Sequence, residues 1–563
     1  MESCIINIIK TEKSDKEIAH MKREIGHPLP LGVSEKCGYV NFAIAVEKGK
    51  TCSLCFYKEC VETSVCELDL PEEDAVGEVR FVAVPVSDVE GLEYNYKIGD
   101  KYVTDPYVKE MSSSGKGIVC MEPYDWEGDK PLNIPYHEVV AYNLHVRGFT
   151  KHSSSKVEKK GMFAGVVEKI PYMLDLGINQ IQCMPVYAFE DKKEYTNYWG
   201  YGDGFFFAAK ELYGGNKELK DMIKACHKSG IEVVFNMPFT DKTAKRLIVE
   251  CLQHYVMEYH VDGFILNPYC VPMDLILENP ILKGVKILQN KEEFQNVMRR
   301  YLKGDEDVVS AVMWWLSKGS LETGSCNYIT NHTGFTLTDL VSYNEKHNDD
   351  NGEDNKDGPD QNYSWNCGEE GPSRKKAIQE LRMRQRKNAM FLMLMAQGTP
   401  SILAGDEFGN SQSGNNNVYC QDNETSWLDW KKLEKEQTFL GYVKKLIELR
   451  KTYPILHADR PLKGTDQIGY GVPDISYHGE NAWQPQLERN SRQLGVYYHD
   501  VDGTDIYLAY NMHYLPQKLA LPTLTNGKQW HLILSTADEV TEDIVFERQI
   551  LIDPRTILMF VGR

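Results

Sequence analysis

The chain is predicted to be an α/β protein, a (β/α)8 TIM barrel flanked by an N-terminal β-sandwich and a C-terminal β domain. Three observations predict it. The middle of the chain alternates short apolar strands with amphipathic helices, the stretches on either side alternate apolar and polar positions at a period of two, and 563 residues are too many for one core. The composition is globular, 42% hydrophobic and 26% charged. A formal charge of −19 disfavours nucleic acid or an anionic membrane as partner, because a phosphate footprint needs a clustered basic surface. A neutral polymer such as a polysaccharide fits better.

Residues 1–20 are polar and charged around the run Cys4-Ile5-Ile6-Asn7-Ile8-Ile9, and read as a tail or a leading strand. That run is too short for a secretory apolar region or a membrane span. Residues 21–134 hold strand-like runs at 39–46, 51–57, 79–84 and 93–98, rich in β-branched and aromatic residues and separated by turn residues, which predicts a β-sandwich. Cys52 and Cys55 have C-x-x-C spacing there, but a metal or redox site would want a second pair or a strand-to-helix junction, so both are expected to be strand residues. The fourteen cysteines show no framework spacing, so reduced thiols and a cytoplasmic location are expected.

From 135 to 460 the units are strand-then-helix: an apolar strand at 138–145, a helix-like run at 166–177, a strand at 178–185, a helix at 217–229, a strand at 231–236, a helix at 243–259 and a strand at 263–267. Repeats of this length predict a parallel sheet closed into a barrel. Short strands return in 461–563, at 494–499 and 505–511, and predict a second β domain. The Asn/Asp/Gly-rich stretch 348–362 is expected to be a loop at the C-terminal face of the barrel, where ligands bind.

One segment carries chemistry. His260-Val261-Asp262-Gly263-Phe264-Ile265-Leu266-Asn267 resembles the H-V-D-G-F-R-F-D strand of the α-amylase superfamily, glycoside hydrolase family thirteen. In that family the closing Asp attacks the sugar and the Arg two residues earlier supports it; here those positions are Asn267 and Ile265. Further motifs narrow the resemblance to isoamylase-type glycogen and starch debranching enzymes. They are Pro28-Leu29-Pro30-Leu31-Gly32, Leu144-His145-Val146-Arg147-Gly148-Phe149-Thr150, Tyr198-Trp199-Gly200-Tyr201, Gly334-Phe335-Thr336-Leu337, Ser364-Trp365-Asn366-Cys367-Gly368, and the run from Gly414-Asn415-Asn416-Asn417 to Gln421-Asp422-Asn423-Glu424.

The resemblance implies a glucan-binding type of sandwich, a catalytic barrel and action on α-1,6 branches. Retaining glycosidases need a nucleophilic carboxylate and a second carboxylic acid about 5 Å away, to which this superfamily adds a third carboxylate. The family's K-L-I-A-E strand is best matched by Lys286-Ile287-Leu288-Gln289-Asn290, which puts Asn290 at the acid position. Its A-H-D-G-F-T-L corresponds to Asn331-His332-Thr333-Gly334-Phe335-Thr336-Leu337, so the third carboxylate is Thr333. The D-V-V-Y-N-H strand reads Asn236-Met237-Pro238-Phe239-Thr240-Asp241, and the loop after it is shortened.

With Asn267, Asn290 and Thr333 at the triad positions no catalytic set is intact, and the expectation is a catalytically degenerate isoamylase-like protein. It would bind α-glucan or act as the noncatalytic partner of an active debranching enzyme, as plant isoamylase subunits do. Two alternatives stay open: an active α-1,6 hydrolase, and an assembly protein without sugar binding. Tyr198 and Trp199 would stack on sugar or pack the barrel; His332 would bond a glucose hydroxyl or be satisfied within the core; Trp365 would line the cleft or brace it. Asp406 and Glu407, at a strand end, are read as structural, and Gly200, Gly202 and Gly204 lack dinucleotide spacing. No metal or other cofactor is expected, and no nucleic acid or membrane partner.

Overall fold

The computed structural model describes residues 21–192, 195–318, 324–467, 469, 471–525 and 527–563. The expected tail 1–20 lies outside the described residues. Two compact units emerge, one of residues 21–128, 186–190 and 203–220, the other of 129–185, 191–202 and 221–563.

In the first unit, alternating strands build two antiparallel sheets. Gly32–Lys36, Tyr39–Ala45 and Val79–Pro85 form one; Cys66–Asp69, Cys52–Tyr57, Glu93–Ile98 and Lys101–Val103, with Gly117–Ile118 beside Glu93–Ile98, form the other. Cys37 and Gly38 join the first hairpin with positive φ at both positions (54° and 82°), the two-residue turn whose twist matches the flanking strands. Phe42 packs edge-on against Phe56 (5.4 Å) and Tyr94 (5.3 Å) in an apolar core shared with Val40, Leu54 and Val84. Three residues apart on one strand, Cys52 and Cys55 point to opposite faces, and burial pushes both thiols up to about 11. They cannot share a metal from there.

The second unit holds a closed parallel barrel of β1 (Ala141–Leu144), β2 (Gln180–Cys183), β3 (Glu232–Asn236), β4 (Gly263–Ile265), β5 (Lys286–Asn290), β6 (Ser325–Asn327) and β7 (Thr399–Leu403) in sequential order, β7 closing on β1. The strands are buried at almost every position, as a sheet covered on both faces requires. Around it lie α1 (Phe163–Glu168), α2 (Ile170–Leu176), α3 (Gly215–Lys228), α4 (Lys245–Tyr259), α5 (Glu292–Lys303), α6 (Val309–Ser317), α7 (Lys376–Leu394) and α8 (Gln437–Thr452).

Three details depart from expectation. The barrel has seven strands, not eight, among the described residues: α5 and α6 follow one another, the link 304–308 is too short for a strand, and β5 pairs β6 directly. The helix-like run at 166–177 is two helices, because Pro171 in the first turn of α2 cannot donate into α1. Strand β4 stops at Ile265, where the chain turns at Asn267-Pro268 with the Asn267 side chain accepting from Tyr269 N at 3.1 Å.

Beneath β4 the first residues of its motif are structural. His227 donates from Nε2 to Asp262 (2.8 Å) and from Nδ1 to Asp129 (3.0 Å), and His260 reaches Asp129 at 2.8 Å. Burial opposes the charged imidazole of His227, but the two carboxylates outweigh it and raise its pKa. A six-stranded antiparallel sheet and a two-stranded one follow the barrel, with Tyr497, Tyr507, Trp530 and Phe560 in their core. Among the described residues no helix is long and apolar enough to cross a membrane.

Candidate functional site

The C-terminal strand ends converge on a rim. Gly263 pairs Lys286 and Ile265 pairs Leu288, so Asn267 follows the end of β4 while Asn290 ends the neighbouring strand. Asn290 in turn pairs Cys326 on β6, which leads into Asn331, His332 and Thr333. The side chains of Asn267, Asn290 and Thr333 are exposed. Thr333 Oγ1 donates to Asn331 Oδ1 at 3.0 Å, a local turn bond. Two residues before Asn267, Ile265 is buried with Val234, Leu288 and Cys326, an apolar layer of the barrel interior.

Below the rim lies a small cavity, about 50 Å³, lined by Asn143, His145, Tyr198, Trp199, His332 and Gln412 among others. No Asp or Glu lines it among the described residues. Asn236 Nδ2 donates to Tyr201 Oη (3.0 Å), and that hydroxyl lies 2.6 Å from His332 Nε2. Burial, with His145 adding to it, lowers the His332 pKa to about 4, and burial lowers His145 to about 4, so both rings are neutral at pH 7. A neutral His332 that accepts from Tyr201 carries its proton on Nδ1, and this buried Nδ1 has no hydrogen-bond partner; nor has Asn143 Oδ1. One donor and one acceptor, on two residues that line the cavity, are therefore left without a partner.

Tyr198 and Trp199 are 5% and 6% exposed. The Tyr198 ring stacks on His145 (4.0 Å between centroids), its carbonyl meets His145 Nε2 at 2.8 Å, and its hydroxyl stands where a Cβ at Gly148 would be, 2.0 Å away, so only glycine fits there. Trp199 packs against Tyr201, His332 and Tyr419. Both rings are covered in this conformation, and a cavity of this size admits a hydroxyl-bearing arm or one or two waters rather than a whole sugar ring.

The motifs around the site are fastened to one another. Arg147 Nε donates to both oxygens of Asp422 (2.8 and 2.9 Å), and Trp427 Nε1 donates to the same carboxylate at 2.9 Å. Burial would raise the Asp422 carboxyl, but these partners hold it below its ordinary value. The 348–362 loop is clasped by the Asn415-Asn416-Asn417 run. Asn348 Nδ2 donates to Asn416 Oδ1 (2.9 Å), Asn416 Nδ2 to Pro359 O and Asn362 Oδ1 (2.9 and 3.0 Å), and Asn417 Nδ2 to Asp357 Oδ2 (2.9 Å).

Asp406 and Glu407 are fully buried beneath the site. Asp406 accepts from Thr330 Oγ1 and Leu337 N (2.9 Å), and Glu407 from Tyr142 and Tyr172 (2.6 Å each) and Gly405 N (3.0 Å). Every bond goes to the scaffold. Burial pushes Asp406 up to about 7 and raises Glu407 as well.

Of the residues expected from sequence, the structure brings Tyr198, Trp199 and His332 together at one cavity and sets Asn267, Asn290 and Thr333 on the rim. Trp365 stands apart, bonded through its N to Leu340 O (3.0 Å) with the Arg555 guanidinium over its ring at 4.9 Å. Sequence reasoning passed over Tyr201, which joins Asn236 to His332, and Asn143, a lone amide in the apolar run of β1. That lone amide was the available signal. No group of three or more His, Cys, Asp or Glu suited to a metal occurs among the described residues.

Comparisons place these features among known proteins. Residues 145–245 match the α-amylase catalytic domain model and 476–557 the C-terminal model of isoamylases 1–3. The glycogen debranching enzyme of Erwinia tasmaniensis is 30% identical across 92% of this chain and 93% of its own, and the chloroplastic isoamylase SU1 of Zea mays is 27% identical across 92% and 85%. The first alignment spans 651 positions against the 563 residues here, so this chain lacks segments that the relative has. A pullulanase from Paenibacillus barengoltzii, solved with maltohexaose and α-cyclodextrin, superposes with a TM-score of 0.74 over 96% of each chain at 19% identity, a likeness of fold.

Proposed function

The chain belongs to the isoamylase-type debranching-enzyme family of the α-amylase superfamily, proteins of α-glucan metabolism, and from that premise we propose that it binds α-glucan at the barrel mouth without hydrolysing it. What carries the proposal is the chemistry of the mouth. Aligned by motif, Asn267, Asn290 and Thr333 correspond to the acids of the family, and no carboxylate lines the cavity among the described residues. An amide neither ionises nor forms a glycosyl ester, and losing one member of a catalytic set alone costs on the order of 10⁴ to 10⁶ in turnover.

Recognition of a sugar needs less. A hydroxyl both donates and accepts, which the spare His332 Nδ1–H and Asn143 Oδ1 match, while the rest of the ring rests on the exposed amides of the rim. Partnership with an active debranching enzyme fits the same reading, since it asks no chemistry of the cavity. None of the described cysteines is in a disulfide, which suits a reducing, cytoplasmic setting.

Debranching hydrolysis is the second reading, and the comparisons speak for it: the relative that aligns over nine-tenths of the chain at 30% identity is named a glycogen debranching enzyme. Reducing-end release from glycogen and pullulan, run beside gel retardation in the same glucans, separates the two. Retardation without release is the expected outcome. Release above background replaces the first reading with the second.

A further inference from the structure

One buried titratable group that the barrel mouth does not use is the imidazole of His227, near the end of α3. Both of its nitrogens meet carboxylates, Nδ1 the two oxygens of Asp129 (3.0 Å each) and Nε2 the Oδ2 of Asp262 (2.8 Å). A carboxylate only accepts, so both ring nitrogens donate and the ring that this geometry holds is the imidazolium. The side chains of His227, Asp129 and Asp262 are 2%, 5% and 3% exposed, so water screens none of the three charges.

The cluster gathers distant parts of the chain. Asp129 is the first residue of the barrel unit, Asp262 leads into β4, and His260, the left-handed residue that caps α4 (φ 55°), reaches Asp129 Oδ2 at 2.8 Å. Cys226, beside His227 on α3, stays a neutral thiol, because burial, with Cys183 and Asp262 adding to it, pushes its pKa far up. Val233 N donates to Asp262 Oδ2 (2.8 Å) while Asp262 Oδ1 is buried without a partner, which leaves the imidazolium to balance this carboxylate. Removing one proton from the ring sets an acceptor against an acceptor. Two carboxylates then share a buried place with a neutral ring, at a cost that the paired arrangement avoids. Asp262 is fixed to the sheet by Val233, whereas residues 129–135 have neither strand nor helix, and Ile134 N is anchored on Glu232 Oε1 (2.8 Å). We propose that His227, Asp129 and Asp262 form a pH-sensitive clasp, closed while the imidazole carries both protons and open at Asp129 once it loses one, which frees residues 129–133. Burial alone would lower the His227 pKa, but Asp262 and Asp129 outweigh it and raise the value above 6.5, so opening lies on the alkaline side. The clasp's contribution is whole below about pH 6.5 and is lost as pH rises through the raised value.

The test is cleavage of the full chain within 129–133 by a broad-specificity protease, each rate divided by that on an unstructured peptide at the same pH. Between about pH 6 and about pH 9 the ratio is expected to rise about tenfold, the worth of one charge-assisted hydrogen bond, with no new cut in β7. A flat profile, or a rise that β7 shares, overturns the proposal. In His227→Gln, which cannot carry the charge, 129–133 should be cut quickly at both pH values, and a retained slope overturns it as well. If that variant does not fold, Asp129→Asn removes one charge with little change of shape and should flatten the profile in the same way. Imidazole nitrogen shifts by NMR supply a check on the unaltered protein: both His227 nitrogens are expected to be protonated at about pH 6, and a singly protonated ring there rules the clasp out.

Discussion

Ile265 stands where the matching family strand has an arginine, and its neighbours explain why the barrel accepts it. Val234, Leu288 and Cys326 close around it in a dry layer, so no charge at position 267 is needed to satisfy the strand below. Ile265→Arg would bury a guanidinium with only Asn267 above it and should cost about 3–5 kcal/mol, read as a lower urea midpoint. For the same reason, Asn267→Asp, Asn290→Glu and Thr333→Asp made together should leave reducing-end release at background; substantial hydrolysis by the triple variant would show that the residues around the triad positions still support catalysis. Asp406 gives a pH prediction. Burial raises its folded pKa to about 7 from 3.8, so its stabilising contribution is whole below about pH 4 and is lost as pH climbs through 7. In Asp406→Asn the decline in thermal midpoint between those limits should shrink, although Glu407 still titrates, and identical pH profiles for the two proteins would refute it.

At the scale of elements, the Asn-rich segments repay attention because amides are poor helix and strand formers yet good clasps. Asn416 is fully buried and its side chain bonds Asn348, Pro359 and Asn362, so the 348–362 loop is held by side chains rather than by a sheet. Asn416→Ala should cost about 2–3 kcal/mol from three lost bonds, with earlier proteolytic nicking between 348 and 362. Intact resistance to protease in a destabilised variant would mean that the loop is anchored elsewhere. The missing strand between α5 and α6 is a second effect at this scale: β5 and β6 meet directly, and the barrel closes with one fewer unit.

Across the whole barrel unit, Trp365 lies against the turn that precedes the last strand, Thr556–Gly562. Arg555 covers its ring and donates to Lys303 O at 2.8 Å, while Asn388 Nδ2 donates back to Arg555 O at 2.8 Å. Trp365→Ala should lower stability by about 1–2 kcal/mol without changing retardation in glycogen gels. Weaker retardation at full stability would instead give Trp365 the sugar-contacting role that its motif suggests. The net charge of −19 also acts at this scale, adding an average repulsion toward polyanions.

Period and residue chemistry were local properties, so the sequence by itself determined the alternation of strands and helices, the sandwich before the barrel, and the identity of Asn267, Ile265 and Thr333. A strand such as 505–511 needs only its own pattern to be read. What depended on neighbours distant along the chain was decided by tertiary structure alone. No pattern around Tyr198 or Trp199 says that their rings would be covered, since the cover comes from His145, His332 and Tyr419. Nor does anything near Asp129 announce His227, 98 positions away, because a buried cluster belongs to the packing of elements and not to any one of them.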